Sequence, residues 1–117
     1  KEIATATINN CLDYIEKTNM ARGHTITIQG VPCPVKDLET RSNAELADLA
    51  SLIELFNSLL MDSCKTRGFG FLDLYKLTDR GDGFSNQLWH LDSIHLTSDA
   101  MLEAWSRHHH SPGPRNP

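Results

Sequence analysis

Phe69-Gly70-Phe71-Leu72-Asp73-Leu74-Tyr75 is an apolar run of strand length, entered through Gly68 and ending in a carboxylate and a phenol. A short run of this kind, bounded by turn residues, predicts a buried strand. Upstream of it, Ser42-Asn43-Ala44-Glu45 carries a capping box, with the Ser42 hydroxyl serving an orphan amide and Glu45 reaching back. The helix this opens is the longest in the chain and runs to about residue 65. Leu46, Leu49, Ile53, Phe56, Leu59 and Leu60 form its apolar stripe, and Leu52 widens it. Before that helix, His24-Thr25-Ile26-Thr27-Ile28-Gln29 is a β-branched run of strand length. Gly30 and Val31-Pro32-Cys33-Pro34-Val35 end it, because proline cannot continue a ladder. Strand, helix and strand in this order imply two parallel strands joined by a right-handed crossover.

Outward from this unit, residues 2–20 place Ile8, Cys11, Leu12 and Ile15 on one helical stripe, with Gly23 as the stop. After Tyr75, the loop of residues 76–86 is rich in Gly, Asp and Arg. Its Arg80-Gly81-Asp82 matches an integrin-binding tripeptide but reads better as a turn in which Gly81 and Gly83 take positive φ. Ser98 and Asp99, followed by Ala100-Met101-Leu102, read as the cap and start of a closing helix. The expected class is α/β, a partial three-layer α/β/α arrangement of the flavodoxin-like kind, with at least two parallel strands and three helices. Residues 1–107 form one domain. Residues 108–117, with His108-His109-His110 and then Ser111-Pro112-Gly113-Pro114, have the composition of a disordered tail. Two strands leave both sheet edges open, so completion by self-association, as a dimer through the sheet edge and the apolar helix faces, is expected.

The 117 residues carry a net charge of −4, and no basic patch interrupts them. That argues against nucleic acid or a membrane surface as the partner. No run of eighteen apolar residues exists, so no membrane span is expected. Cys11, Cys33 and Cys64 are widely spaced and lack any C-x-x-C pairing. They read as reduced thiols of a cytoplasmic protein, with no disulfide framework, zinc site or other metal. Cys11 and Cys64 fall on apolar helix faces, which predicts burial, whereas Cys33 sits between two prolines as a candidate reactive thiol. No cofactor is implied.

The chemistry concentrates in Trp89-His90-Leu91-Asp92-Ser93-Ile94-His95-Leu96-Thr97. Asp92 and His95 lie three residues apart, and one tight turn puts both on the same side of the backbone. A carboxylate can then hold one ring nitrogen while the other faces outward as a base. The same spacing also suits a solvated surface turn before a helix. Ser93 and Ser85 have no strand-to-helix elbow around them and are poor nucleophile candidates. Trp89 and His90 are expected to pack.

Four pieces, in order, resemble the end of an SGNH (GDSL-type) hydrolase. They are the strand running into the proline loop at 25–34, the helix bearing Asn57, Leu60 and Cys64, the strand at 71–75, and the Asp92-x-x-His95-Leu96 block. The likeness covers about residues 25–105 and is nearest to small bacterial proteins that carry a G-E-I-D-C-R block upstream. It implies acyl transfer to water, an esterase or deacetylase reaction. His95 would deprotonate a serine, with Asp92 fixing its tautomer. It also implies an SGNH-like fold whose first half, bearing the serine, glycine and asparagine blocks, has no counterpart here. The chain alone is therefore expected to be inactive. The alternative is a small non-enzymatic α/β protein that binds itself or a partner.

Overall fold

A computed structural model describes residues 2–20, 22–36, 41–92 and 95–110. Ser93 and the tail beyond residue 110 lie outside these residues. The described chain is mixed α/β, in the order α1 (Glu2–Asn19), β1 (Thr27–Gln29), α2 (Asn43–Arg67), β2 (Gly70–Leu72), α3 (Leu74–Thr78) and α4 (Ser98–His110). β1 and β2 pair in parallel, with Thr27 opposite Gly70, Ile28 opposite Phe71 and Gln29 opposite Leu72. The crossover expected between residues 24 and 75 is present.

The ends of α2 follow the sequence. Ser42 accepts the Glu45 amide while the Glu45 carboxylate accepts the Ser42 amide, and Gly68 closes the helix in the left-handed region at φ 75°. The strands are shorter than expected. Asp73 does not extend β2, because its carboxylate accepts the Lys76 amide and caps α3. The last part of the predicted strand is therefore a helical turn. In this parallel register residues 24–26 face the end of α2 and its Gly68 cap, so β1 begins only at Thr27, with the Gly70 amide donating to the Ile26 carbonyl just before it.

Two clusters make the core. Ile8 and Leu12 of α1 meet Leu60 and Cys64 of α2, and Ile28 and Phe71 of the sheet pack against them. Leu74 and Leu77 of α3 meet Ala100 and Ala104 of α4, joined by Trp89, Leu96 and Met101. The buried line of α2 runs Leu46, Ala50, Asn57, Leu60, Cys64, so it includes an amide and leaves out Leu52, which is exposed. Asn57 is buried because it imitates a strand. Its carbonyl accepts the Val31 amide and its NH2 donates to the Val31 carbonyl, both at 2.8 Å.

Three expectations about single residues are corrected. Cys11 is exposed, since α1 turns Ile8 and Leu12 inward and leaves the position between them outside. Cys33 is buried, because its amide donates to Thr78 Oγ1 and its thiol to the Tyr75 carbonyl, folding the proline loop onto α3. His108, His109 and His110 belong to α4 rather than to a tail. The Trp105 ring meets that of His109 edge-on at 4.2 Å, one turn away. Cys64 is buried as expected.

Candidate functional site

Residues 89–91 and 95–97 pair as the two arms of a small antiparallel hairpin. The Thr97 amide donates to the Trp89 carbonyl and the Leu91 amide to the His95 carbonyl, each at 2.8 Å, with His90 and Leu96 bridged antiparallel between them. Trp89 and Leu96 fix the base of the hairpin in the α3–α4 cluster. Just past the hairpin, the Thr97 hydroxyl accepts the Ala100 amide and helps open α4. The register brings Asp92 and His95 together at the end of these arms.

There the Asp92 carboxylate makes three contacts to one residue. Oδ1 accepts the His95 amide at 2.6 Å, and the ring Nδ1 lies 3.2 Å from Oδ1 and 2.9 Å from Oδ2. With its proton on Nδ1, the ring donates to Asp92 and leaves Nε2 as the acceptor, the polarity a general base needs. The structure thus brings the two expected residues together. It does not enclose them: the His95 side chain is 71% exposed and that of Asp92 53%. At that exposure, water screens the pair and its contribution to stability is small.

A second imidazole pair, not foreseen from the sequence, lies beside the first. Ser85 Oγ and His90 Nδ1 are 2.7 Å apart, and Ser85 Oγ also accepts the Gln87 amide at 2.9 Å. Gln87 takes φ 61°, a left-handed conformation that carries a backbone penalty for a side chain of this kind. Ser85 is 3% exposed. Its own amide donates to the Pro34 carbonyl, and the Asn86 amide donates to the Thr78 carbonyl. These bonds tie the loop to the segment that leaves β1 and to α3. Burial pushes the His90 imidazole below its usual range, against the smaller opposing pull of Asp92. A neutral ring suits the contact, because Nδ1 can then accept the Ser85 hydroxyl.

A serine and an imidazole at this distance form the polar half of a nucleophile–base pair. The Ser85 hydroxyl is nevertheless closed off by its own loop, and its evident work is to hold the hairpin. His90 turns inward onto Ser85, while His95 faces solvent. The expectation that His90 packs therefore holds for its direction but omits its hydrogen bond. No sequence signal announces a serine and a histidine five residues apart, because neither strand nor helix periodicity brings them together.

The Arg80-Gly81-Asp82 segment is a self-paired turn. Arg80 grips Asp82 through two bonds of 2.9 Å, and Asp79 accepts the Gly81 and Gly83 amides. That grip holds the Asp82 carboxyl down at about 2. Among the described residues, no group of three or more His, Cys, Asp or Glu side chains is arranged to hold a metal ion. No helix among them is long and apolar enough to cross a membrane. Comparison with family models, with curated proteins and with solved structures returns no match for this chain.

Proposed function

We propose that this chain is the later part of an acyl hydrolase of the SGNH type, with His95 as general base and Asp92 as the carboxylate that orients it. The observation that carries this reading is the Asp92 carboxylate on His95 Nδ1 at 2.9 Å, on a hairpin whose base is anchored in the core. The serine nucleophile and the oxyanion-hole donors come from polypeptide outside these 117 residues, either upstream or on a second chain. In the complete enzyme His95 Nε2 takes the proton of that serine, and Asp92 steadies the imidazolium formed.

Two further features support the reading. Asn57, Leu60 and Cys64, the helix pattern of the resemblance, are all buried, and Asn57 holds the strand-to-loop exit at Val31. Phe71 packs toward α1 and α2, while Gly70, whose side of the strand is opposite, lies against His108 of α4. That division supports the reading of a three-layer α/β/α sandwich, which a second copy or further polypeptide would extend along the sheet.

The tautomer of His95 tests the base. Long-range nitrogen–proton NMR on the neutral ring should find the proton on Nδ1 in the native chain and mostly on Nε2 in Asp92→Asn. A native ring protonated on Nε2 would remove His95 from the role. Turnover of p-nitrophenyl acetate by the chain alone should not exceed that of His95→Ala. Turnover lost in both His95→Ala and Asp92→Ala would place a nucleophile inside this chain and overturn its assignment to another segment.

A non-enzymatic reading draws on a different observation. Leu52 and Leu55 of α2, Leu88 and Leu91 of the loops, and Leu102 and Trp105 of α4 are all exposed. So much large apolar surface on a small chain fits a protein that binds a second copy or another partner. An inactive chain that nonetheless associates tightly, with His95 in the Nε2 tautomer, would favour this reading over the first.

A further inference from the structure

The two arms that carry the proposed base hold two imidazoles, and the charge of one carboxylate acts on both. Asp92 holds His95 through Nδ1, and it also pulls on His90, where it opposes the effect of burial. The Nδ1 of His90 is taken by Ser85 instead, 2.7 Å from Oγ. With the Gln87 amide donating to Ser85 Oγ, the serine proton is directed at the ring, and Nδ1 accepts it.

The serine is built into the body of the protein. It is buried, it pairs antiparallel with Asp79, and its amide donates to the carbonyl of Pro34 in the loop that follows β1. The next residue, Asn86, donates its amide to the Thr78 carbonyl and its side-chain NH2 to the Leu77 carbonyl. Gln87 then takes φ 61°, a left-handed conformation unfavourable for its side chain, and its amide closes on Ser85 Oγ. The backbone penalty thus falls on the residue that fixes the hydroxyl. At the other end of the bond is the arm of Asp92. Leu91 is exposed, so the last side chain before Asp92 to reach the body is that of His90. On the second arm Leu96, directly opposite His90, enters the α3–α4 cluster one residue after His95. Each arm therefore has an inward anchor beside the pair, one polar and one apolar.

We propose that Ser85 and His90 are positioning residues for the Asp92–His95 pair: the serine hydroxyl fixes the His90 imidazole, and through it the arm that sets the Asp92 carboxylate against His95 Nδ1. The inference rests on the reading of His95 as general base and adds two residues to it. Neither gives or takes a proton in the reaction. An exposed carboxylate has many rotamers open to it, and an anchor two residues away narrows them by fixing its backbone. The anchor also gives the neighbouring imidazole a neutral partner, so His95 keeps the carboxylate without a second ring drawing on it.

The Nδ1-to-Nε2 tautomer ratio of His95, read by long-range nitrogen–proton NMR, reports the placement of Asp92 directly. In Ser85→Ala the ratio should fall by about fivefold, the weight of one ordinary hydrogen bond. Ser85 is buried, so its truncation also weakens the fold, and two variants at the half-buried His90 make the deciding comparison. His90→Leu fills the space without an acceptor and should lower the ratio as Ser85→Ala does. His90→Asn returns an acceptor, its Oδ1, to the serine hydroxyl and should restore the native ratio. A merely structural role would shift unfolding in the His90 variants and leave the ratio alone. A ratio unchanged in His90→Leu, or lowered equally in His90→Leu and His90→Asn, would overturn the proposal while leaving His95 as the base. A native ring protonated on Nε2 would instead remove the base itself, and the positioning role with it.

Discussion

At His90, burial opposes the charged imidazole, whose ordinary value is 6.5. The unfolded chain therefore binds a proton more readily there than the folded one. The stability that comes from the neutral ring is fully present above 6.5 and is lost as pH falls below it toward the lowered folded value. In urea unfolding followed from neutral to mildly acidic pH, the native chain should lose stability faster than His90→Gln, so the gap between them narrows on acidification. A gap that stays constant would mean that the ring titrates alike in both states. The thiols are ordered by the same physics. Burial pushes Cys33 up to about 11 and also raises Cys64, while Cys11 is exposed. Without denaturant, a thiol reagent should modify Cys11 quickly, and Cys33 and Cys64 only on unfolding. Fast modification of Cys33 in the native chain would contradict its bonds to Thr78 and Tyr75.

At the scale of elements, α2 decides most of the fold and is held in two different ways. Its N-terminus is fastened locally, by a capping box at the surface, and its middle is fastened at long range, by Asn57 on Val31. Removing the first partner costs a cap, about 1 kcal/mol. Removing the second strands a buried amide and carbonyl of the proline loop and opens a void, which costs about 2–3 kcal/mol. Chemical denaturation of Ser42→Ala and Asn57→Ala should rank them in that order. Equal losses would mean that water satisfies Val31 once the amide is gone. Capping was legible in the sequence because both partners lie within four residues. The Asn57 clamp was not, because its partner lies 26 residues away, and on a helical stripe an asparagine counts only as a polar interruption.

At the scale of the whole molecule, a two-stranded sheet with three residues in each strand is too small to stand without help. Much of the support comes from α1, α2 and α4, yet Leu52, Leu102 and Trp105 face outward from the helices that give it. Light scattering of the purified chain should report a mass above that of the monomer, rising with concentration. Leu102→Glu combined with Trp105→Glu on α4 should lower it. A monodisperse monomer at all concentrations would show that these apolar side chains have no partner in a second copy.

The crossover of two parallel strands around one capped helix followed from the sequence alone. Periodicity, Ser42, Glu45 and Gly68 act within a few residues of themselves, and proline fixes where a strand must stop. The nearness of Asp92 to His95 followed for the same reason, since a spacing of three is closed by one turn. Tertiary structure decided the rest. It buried Cys33 and Asn57, turned Cys11 outward, ended β2 at Asp73, drew His108 against Gly70 and set His90 on Ser85. Each of those outcomes depends on which distant segment arrives at a given face. A pattern of polar and apolar residues states which face is apolar, but not what will meet it.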